Sequence, residues 1–194
     1  MAAPRGSYAK GIAKREEILT AALDVIARNG YRRTSVRELA DAVGLSQAGL
    51  LHYFASKEEL FQEILRKRDD VDMASYGIDT EQSIDGLLAL VAHNTDVPGL
   101  VQLYAQVSTE AAGDPAHPAH EFFIARYGTI RGAFAELIRR EQAAGRVGAD
   151  IDVDSTAALL VAATDGLQTQ WMLDPSFDMV EHIRSFWNLV TRKP

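Results

Sequence analysis

The sequence predicts an all-α protein of about nine helices, on three observations. Apolar residues recur at helical spacing through almost every segment, and no stretch alternates as a half-buried strand would. Two S-x-x-E patterns, Ser35–Glu38 and Ser56–Glu59, stand directly before such segments, as helix-opening capping boxes do. Glycine or proline punctuates several of the breaks, and no repeat or low-complexity stretch interrupts them.

In chain order, Ile18, Ala22, Val25 and Ile26 form one stripe on a first helix from about Ala13 to Asn29, stopped by Gly30. Ser35 opens a second helix that turns Val36, Leu39, Ala40 and Val43 inward. Gly44 ends it, Leu45 returns to the core and Ser46 caps a third; Ser56 then caps a fourth carrying Leu60, Phe61, Ile64 and Leu65. A polar joint near 69–83 follows. Ile84, Leu87, Leu88 and Val91 mark a fifth helix, and Leu100, Leu103, Tyr104 and Val107 a sixth. Pro115 and Pro118 precede a long seventh with Phe123, Tyr127, Ile130, Phe134 and Leu137, ending near Gly145. Asp154 is placed to cap an eighth, up to Leu173, and a ninth runs from about Phe177 to Thr191.

Composition narrows the function classes. The hydrophobic share of 47% supplies an ordinary globular core. No apolar run approaches a membrane span and the N-terminal segment lacks a signal-peptide core, so a cytoplasmic location is the default expectation. With no cysteine there are no disulfides, thiolate metal sites or cysteine nucleophiles. The net charge of −7 is unevenly spread: residues 1–70 hold 12 Lys/Arg against 10 Asp/Glu, while residues 71–194 hold 8 against 17. A basic N-terminal part suits contact with phosphate, and an acidic remainder keeps the other face off it.

The segment Ser35–Phe61 carries the most specific chemistry. Two short helices joined by Gly44-Leu45-Ser46 form a helix-turn-helix, a unit that lays its second helix in a DNA major groove. Gly44 permits a turn that a β-carbon would strain. Ala40 lets the helices cross closely, and Leu45 and Leu50 bury the seam. Gln47 stands where the third helix begins, placed to reach base edges, and His52 and Tyr53 are long enough to reach bases or phosphates.

Those residues carry a family resemblance. Asn29-Gly30-Tyr31, Thr34 through Ala40, Val43 through Ser46, Gly49-Leu50, His52-Tyr53-Phe54 and Ser56 through Leu60 resemble the DNA-binding domain of the tetracycline-repressor (TetR) family of bacterial transcription regulators. The resemblance implies a helix-turn-helix DNA-binding domain over 1–56 and a helical ligand-binding and dimerisation domain over 57–194. It implies that Arg37, Gln47, Ala48, His52, Tyr53 and Lys57 contact DNA, with Thr34, Ser35 and Ser46 assisting at phosphates. The basic residues Arg5, Lys10, Lys14 and Arg15 are further candidates for groove or phosphate contact. Leu51 departs from the pattern: the family often has an aromatic there that touches the DNA backbone, which leaves Leu51 for a thymine methyl or for the core.

The expected partners are therefore a double-stranded DNA operator, a small-molecule effector and a second copy of the chain, with no membrane and no cofactor. Ala157, Ala158, Ala162, Ala163 and Gly166 would allow close approach in a four-helix dimer bundle, with Ile183, Phe186, Trp187 and Val190 supplying apolar area. Candidates for the effector site are His93, Tyr104, Gln106, Phe123, Tyr127, Asp165, Gln168 and Trp171, polar or aromatic residues on helices that line the family's cavity. An all-helical binding module or an enzyme without DNA function is the alternative. For an enzyme, Gly44-Leu45-Ser46-Gln47-Ala48 only partly matches the G-x-S-x-G nucleophile elbow; a hydrolase would bury Ser46 beside a histidine. Asp114, His117 and His120 lie close together but across a proline-containing turn, so no metal site is assigned. Asp150, Asp152 and Asp154 begin like a calcium loop, but Ser155 stands where glycine is needed.

Overall fold

The computed structural model describes residues 5–76 and 83–191, with side chains described over 9–70 and 83–191. Residues 77–82 of the polar joint and the Arg5 side chain therefore lie outside the description. Among the described residues there are nine helices and no strand: α1 Arg5–Asn29, α2 Val36–Ala42, α3 Gln47–Tyr53, α4 Lys57–Tyr76, α5 Ile84–Thr95, α6 Leu100–Gly113, α7 His120–Ala143, α8 Val153–Leu173 and α9 Met179–Thr191.

Local chemistry sets the boundaries. Gly30 takes φ 79° and its N–H donates to Ile26 O at 2.8 Å, closing α1. Ser35 caps α2 with both halves of a capping box: its hydroxyl accepts from Glu38 N, and the Glu38 carboxylate accepts from Ser35 N at 2.9 Å. At Ser56 the pattern is looser. The Ser56 hydroxyl accepts from Glu59 N at 3.0 Å, but the Glu59 carboxylate reaches one residue further back, to Ala55 N at 2.6 Å. The eighth helix begins earlier than the sequence predicts, because Asp152 rather than Asp154 is the cap and accepts from Ser155 N at 2.8 Å. Asp178 accepts from Glu181 N at 2.9 Å, so α9 starts at Met179 rather than Phe177.

Three buried clusters organise the packing. The first joins α1, α2 and α3 to the start of α4, and continues into α6 and the start of α7 through Leu103, Val107 and Phe123. Phe54 and Phe61 lie at its centre, each fully buried and each contributing about 1.5–3 kcal/mol by leaving water. The second joins α7, α8 and α9 around Ile138, Leu160 and Trp187; the third sets α5 against α9 through Leu88, Val91, Met179 and Ile183. The 56/57 division expected from sequence falls at the start of α4, yet Leu60, Phe61, Ile64 and Leu65 of that helix belong to the cluster of α1–α3.

Beyond that shared cluster, α6 makes two more specific contacts with the N-terminal head. Tyr31, in the loop after α1, donates its hydroxyl to Glu110 Oε2 at 2.5 Å. At the other end of α6, Gly99 is held at φ 77° so close to α1 that an added β-carbon would lie 2.9 Å from Ala27 N and 3.0 Å from Leu23 O.

Candidate DNA interface and effector cavity

The turn between α2 and α3 is built by backbone hydrogen bonds. Gly44 N donates to Asp41 O at 3.3 Å and Leu45 N to Ala40 O at 2.9 Å, with Gly44 at φ 65°, the arrangement that terminates a helix through a left-handed glycine. Two cations of α1 complete it. Lys14 Nζ donates to Val43 O at 2.8 Å, at the C-terminus of α2. Arg15 donates to Tyr53 O at the C-terminus of α3, and its guanidinium lies 4.2 Å over the Phe54 ring. Both are candidates for DNA contact from the sequence, and here both brace the helix-turn-helix.

With Leu50 buried beneath it, α3 presents Gln47, Ala48, Leu51 and His52 outward. Leu51 is 44% exposed, so it is not a core residue. Arg37 projects from α2 with a side chain 78% exposed, its nearest acid Asp41 at 3.8 Å across one turn; such a pair contributes little. Tyr53 is half-buried, packed on the head and edge-on to His52 at 5.7 Å. Ser46 is exposed and its hydroxyl accepts from Gly49 N at 3.0 Å, with no histidine partner among its hydrogen bonds. Ser35 is likewise exposed at a helix start.

Thr34 and Lys57 sit differently from expectation. Thr34 is 1% exposed and its hydroxyl donates to Gly30 O at 2.9 Å, so its side chain braces the loop and is shielded from a phosphate. Lys57 Nζ donates to Thr34 O at 3.3 Å and lies 5.5 Å over the Tyr31 ring and 5.6 Å over Phe61. Arg32 and Arg33, exposed in the loop before α2, add two cations beside the helix-turn-helix that the motif itself does not single out.

Behind the head, a cavity of about 430 Å³ opens among α4, α5, α6, α7 and α8. Leu87, Val101, Phe122, Ile130, Phe134 and Leu137 give it mostly apolar walls. Of the expected effector residues, Tyr104, Asp165 and Gln168 line it. Tyr127 stands behind the wall and donates to Asp165 Oδ2 at 2.7 Å. Phe123 is buried against the first cluster, edge-on to Tyr104 at 5.7 Å, and Trp171 packs on the third. His93 and Gln106 lie on α5 and α6 outside the wall.

Other polar wall residues, among them Arg66, Arg68, Asp69, Asp70, Asn94 and Arg126, had no signal in the sequence. Arg126 of α7 donates through Nε and Nη2 to both carboxylate oxygens of Asp69 on α4, at 2.7 and 2.8 Å, and its guanidinium lies 4.7 Å over the Tyr104 ring. Burial, foremost, raises the Tyr104 and Tyr127 phenols above the ordinary tyrosine value, so both are neutral donors at physiological pH.

The α6–α7 turn uses its own polar groups. Asp114 Oδ1 accepts from Ala116 N, His117 Nδ1 from Ala119 N, and His120 Nδ1 faces Ala111 O at 2.7 Å. Among the described residues no group of three side chains is arranged to hold a metal ion.

On α8, Ala158, Ala162 and Gly166 are exposed, with Leu159 and Leu173 beside them; on α9, Leu189 is exposed and Phe186 and Val190 are partly so. Ile183 and Trp187 are buried at 1% and 7% within the protomer, so they anchor α9 to its own core.

Comparison with known proteins fits this geometry. A family model described as "Bacterial regulatory proteins, tetR family" matches residues 18–64, and one described as "BetI-type transcriptional repressor, C-terminal" matches residues 85–188, more than half of the chain. The chain belongs to the tetR family. It is a DNA-binding transcriptional regulator of the helix-turn-helix type. Among tetR-family relatives, it is 27% identical to the HTH-type transcriptional repressor Rv1474c of Mycobacterium tuberculosis, over 80% of each chain. A putative transcriptional regulator from Saccharomonospora viridis, solved in complex with choline, is 30% identical with TM-score 0.70, covering 90% of this chain and 93% of that one. A TetR regulator from Haloarcula marismortui shares the fold at TM-score 0.77 and 20% identity, covering 92% of this chain and 96% of that one. No described helix is long and apolar enough to cross a membrane.

Proposed function

We propose that this tetR-family chain is a homodimeric repressor that holds a two-fold operator and releases it when a small molecule fills the cavity. The observation that carries the reading is α3: its inner side is buried through Leu50, while Gln47, Ala48, Leu51 and His52 are left exposed on a rigidly capped helix. Gln47 offers an amide for bidentate pairing with adenine, Leu51 an apolar end for a thymine methyl, and Ala48 keeps the helix close to the groove floor. Arg37, His52 and Tyr53, with Ser35 and Ser46, flank that face and hold phosphates. Lys57 joins them by exchanging the Thr34 carbonyl for a phosphate, and Arg32 and Arg33 add charge beside α2. Thr34 contributes only by shaping the loop.

Two heads are needed for a site with half-sites about one ~34 Å turn apart. The exposed small residues of α8, with Leu159, Phe186, Leu189 and Val190, offer a self-complementary apolar surface for a second copy. Release works through differential binding: an effector that costs the operator a hundredfold in affinity must favour the non-binding state by about 2.7 kcal/mol. The cavity touches α4 through Asp69 and α6 through Tyr104, the two helices that also join the head. The choline-bound relative supports a small molecule as the effector. Catalysis has no role in this reading, and the protein acts in the cytoplasm, where its operator lies. Selection of bound sequences from a random duplex pool, followed by a compound screen for release, tests it.

A further inference from the structure

The outward side of α3 joins one amide to two apolar groups. Leu51 stands four residues after Gln47 and three after Ala48, so the three exposed side chains share one face of the helix. Leu51 keeps 44% of its surface, whereas Leu50 and Phe54 are buried in the head. It is the one large apolar side chain of α2 and α3 left exposed. Single exposed leucines are ordinary on a protein surface, so exposure alone decides nothing. The register decides, because Leu51 shares its face with the Gln47 amide.

A major groove gives an isobutyl group little choice. Cytosine shows an amino donor there, and the purines show polar edges; only thymine shows an apolar group, its C5 methyl. Leucine pressed on a polar edge strips its water and returns no hydrogen bond. A methylated cytosine carries the same methyl at the same ring position.

We propose that Leu51, backed by Ala48, reads a pyrimidine C5 methyl group, so that operator affinity depends on that methyl whether thymine or 5-methylcytosine supplies it. Cytosine methylation at this position therefore tightens binding. Leu51 lies one helical turn, about 5.4 Å, beyond Gln47, and base pairs stack about 3.4 Å apart. The methyl-bearing base accordingly falls one or two base pairs from the base that Gln47 reads. The inference rests on reading α3 as the recognition helix and adds the chemistry of one half-site position.

The test uses the full chain and a duplex recovered from a random pool, remade with deoxyuridine at each thymine in turn. Deoxyuridine keeps every hydrogen-bonding group and removes only the methyl. Anisotropy titrations are expected to show one sensitive thymine per half-site, losing about fourfold in affinity, and about fifteenfold when both half-sites lose it. That thymine lies within two base pairs of the position where Gln47→Ala changes base preference. Leu51→Ala, checked by thermal melting, binds the thymine and deoxyuridine duplexes alike. Leu51→Asn, closer in size, does the same. With cytosine placed at the sensitive position, its 5-methyl form binds the natural chain about fourfold more tightly than the plain base, and Leu51→Ala removes the difference.

Indifference to deoxyuridine at every thymine overturns the inference, as does an equal loss in the natural chain and Leu51→Ala. If Gln47→Ala still changes base preference in that case, the reading of α3 survives and only the role of Leu51 falls. Sensitivity to deoxyuridine without a gain from 5-methylcytosine overturns the response to methylation. A pool that yields no preferred duplex overturns the inference together with the reading on which it rests.

Discussion

Gly99→Ala isolates one of the contacts by which α6 meets the DNA-binding head. Four glycines among the described residues share nearly the same left-handed backbone, Gly30 at φ 79°, Gly44 at φ 65°, Gly99 at φ 77° and Gly145 at φ 68°. An alanine at any of them carries the left-handed cost of about 1–2 kcal/mol. A β-carbon at Gly30 or Gly44 meets nothing within 4 Å, so that cost is the whole effect. At Gly99 it would lie 2.9 Å from Ala27 N, 3.0 Å from Leu23 O and 3.2 Å from Ala27 Cα. All three atoms are α1 backbone and cannot swing aside, which adds an overpacking cost of about 1–3 kcal/mol. Gly99→Ala is therefore expected to lose about 2–5 kcal/mol and Gly30→Ala about 1–2 kcal/mol. For a chain of this size the difference separates the melting temperatures by about 2–12 °C. Thermal melts at one fixed protein concentration read it, since dimer stability depends on concentration. Equal melting temperatures for the two variants would refute the close approach of α6 to α1.

Three further outcomes follow from the same geometry. Tyr31→Phe and Glu110→Gln, combined in a double-mutant cycle, are expected to show a coupling of about 1 kcal/mol or more in denaturant unfolding; additivity would mean that the 2.5 Å hydrogen bond is not made in solution. Burial raises the phenols of Tyr31, Tyr104 and Tyr127, so the unfolded chain loses these protons first. Their contribution is complete below about pH 10 and is lost as pH rises above it. Melting temperature should fall steeply there, and less steeply in Tyr104→Phe. Gln47→Ala should change which bases are preferred, whereas Lys57→Ala should weaken all sequences alike and lower the salt slope by about one; identical behaviour in anisotropy titrations would reverse the assignment of readout and positioning.

What the sequence made legible was local. The Ser35–Glu38 box, the Gly30 and Gly44 stops and the Ser46 cap each depend on residues a few positions apart, and all are found as read. Where two local solutions compete, the boundary slips: Asp152 and Asp154 are both able to cap α8, and only the geometry selects Asp152. Residues whose surroundings come from distant chain were not legible. Thr34 looks exposed beside Ser35 but is buried. Lys14 and Arg15 read as a basic DNA-binding arm, yet their partners Val43 and Tyr53 lie on other helices. Arg126 carries no signal in the sequence; its place in the cavity wall comes from Asp69, on a different helix. Gly99 has no pattern around it; its need for glycine comes from α1. Trp187 reads from the sequence as part of the dimer interface, and the close packing of α9 places it in the protomer's own core.

The central claim, that α3 reads a DNA sequence from a paired head, is tested most directly by selecting duplexes from a random pool with the purified chain. The expected product is a two-fold symmetric sequence with half-sites about one helical turn apart, lost when Gln47 and Arg37 are replaced by alanine. Recovery of a pool no different from the starting one, at low salt where phosphate contacts are strongest, would contradict it.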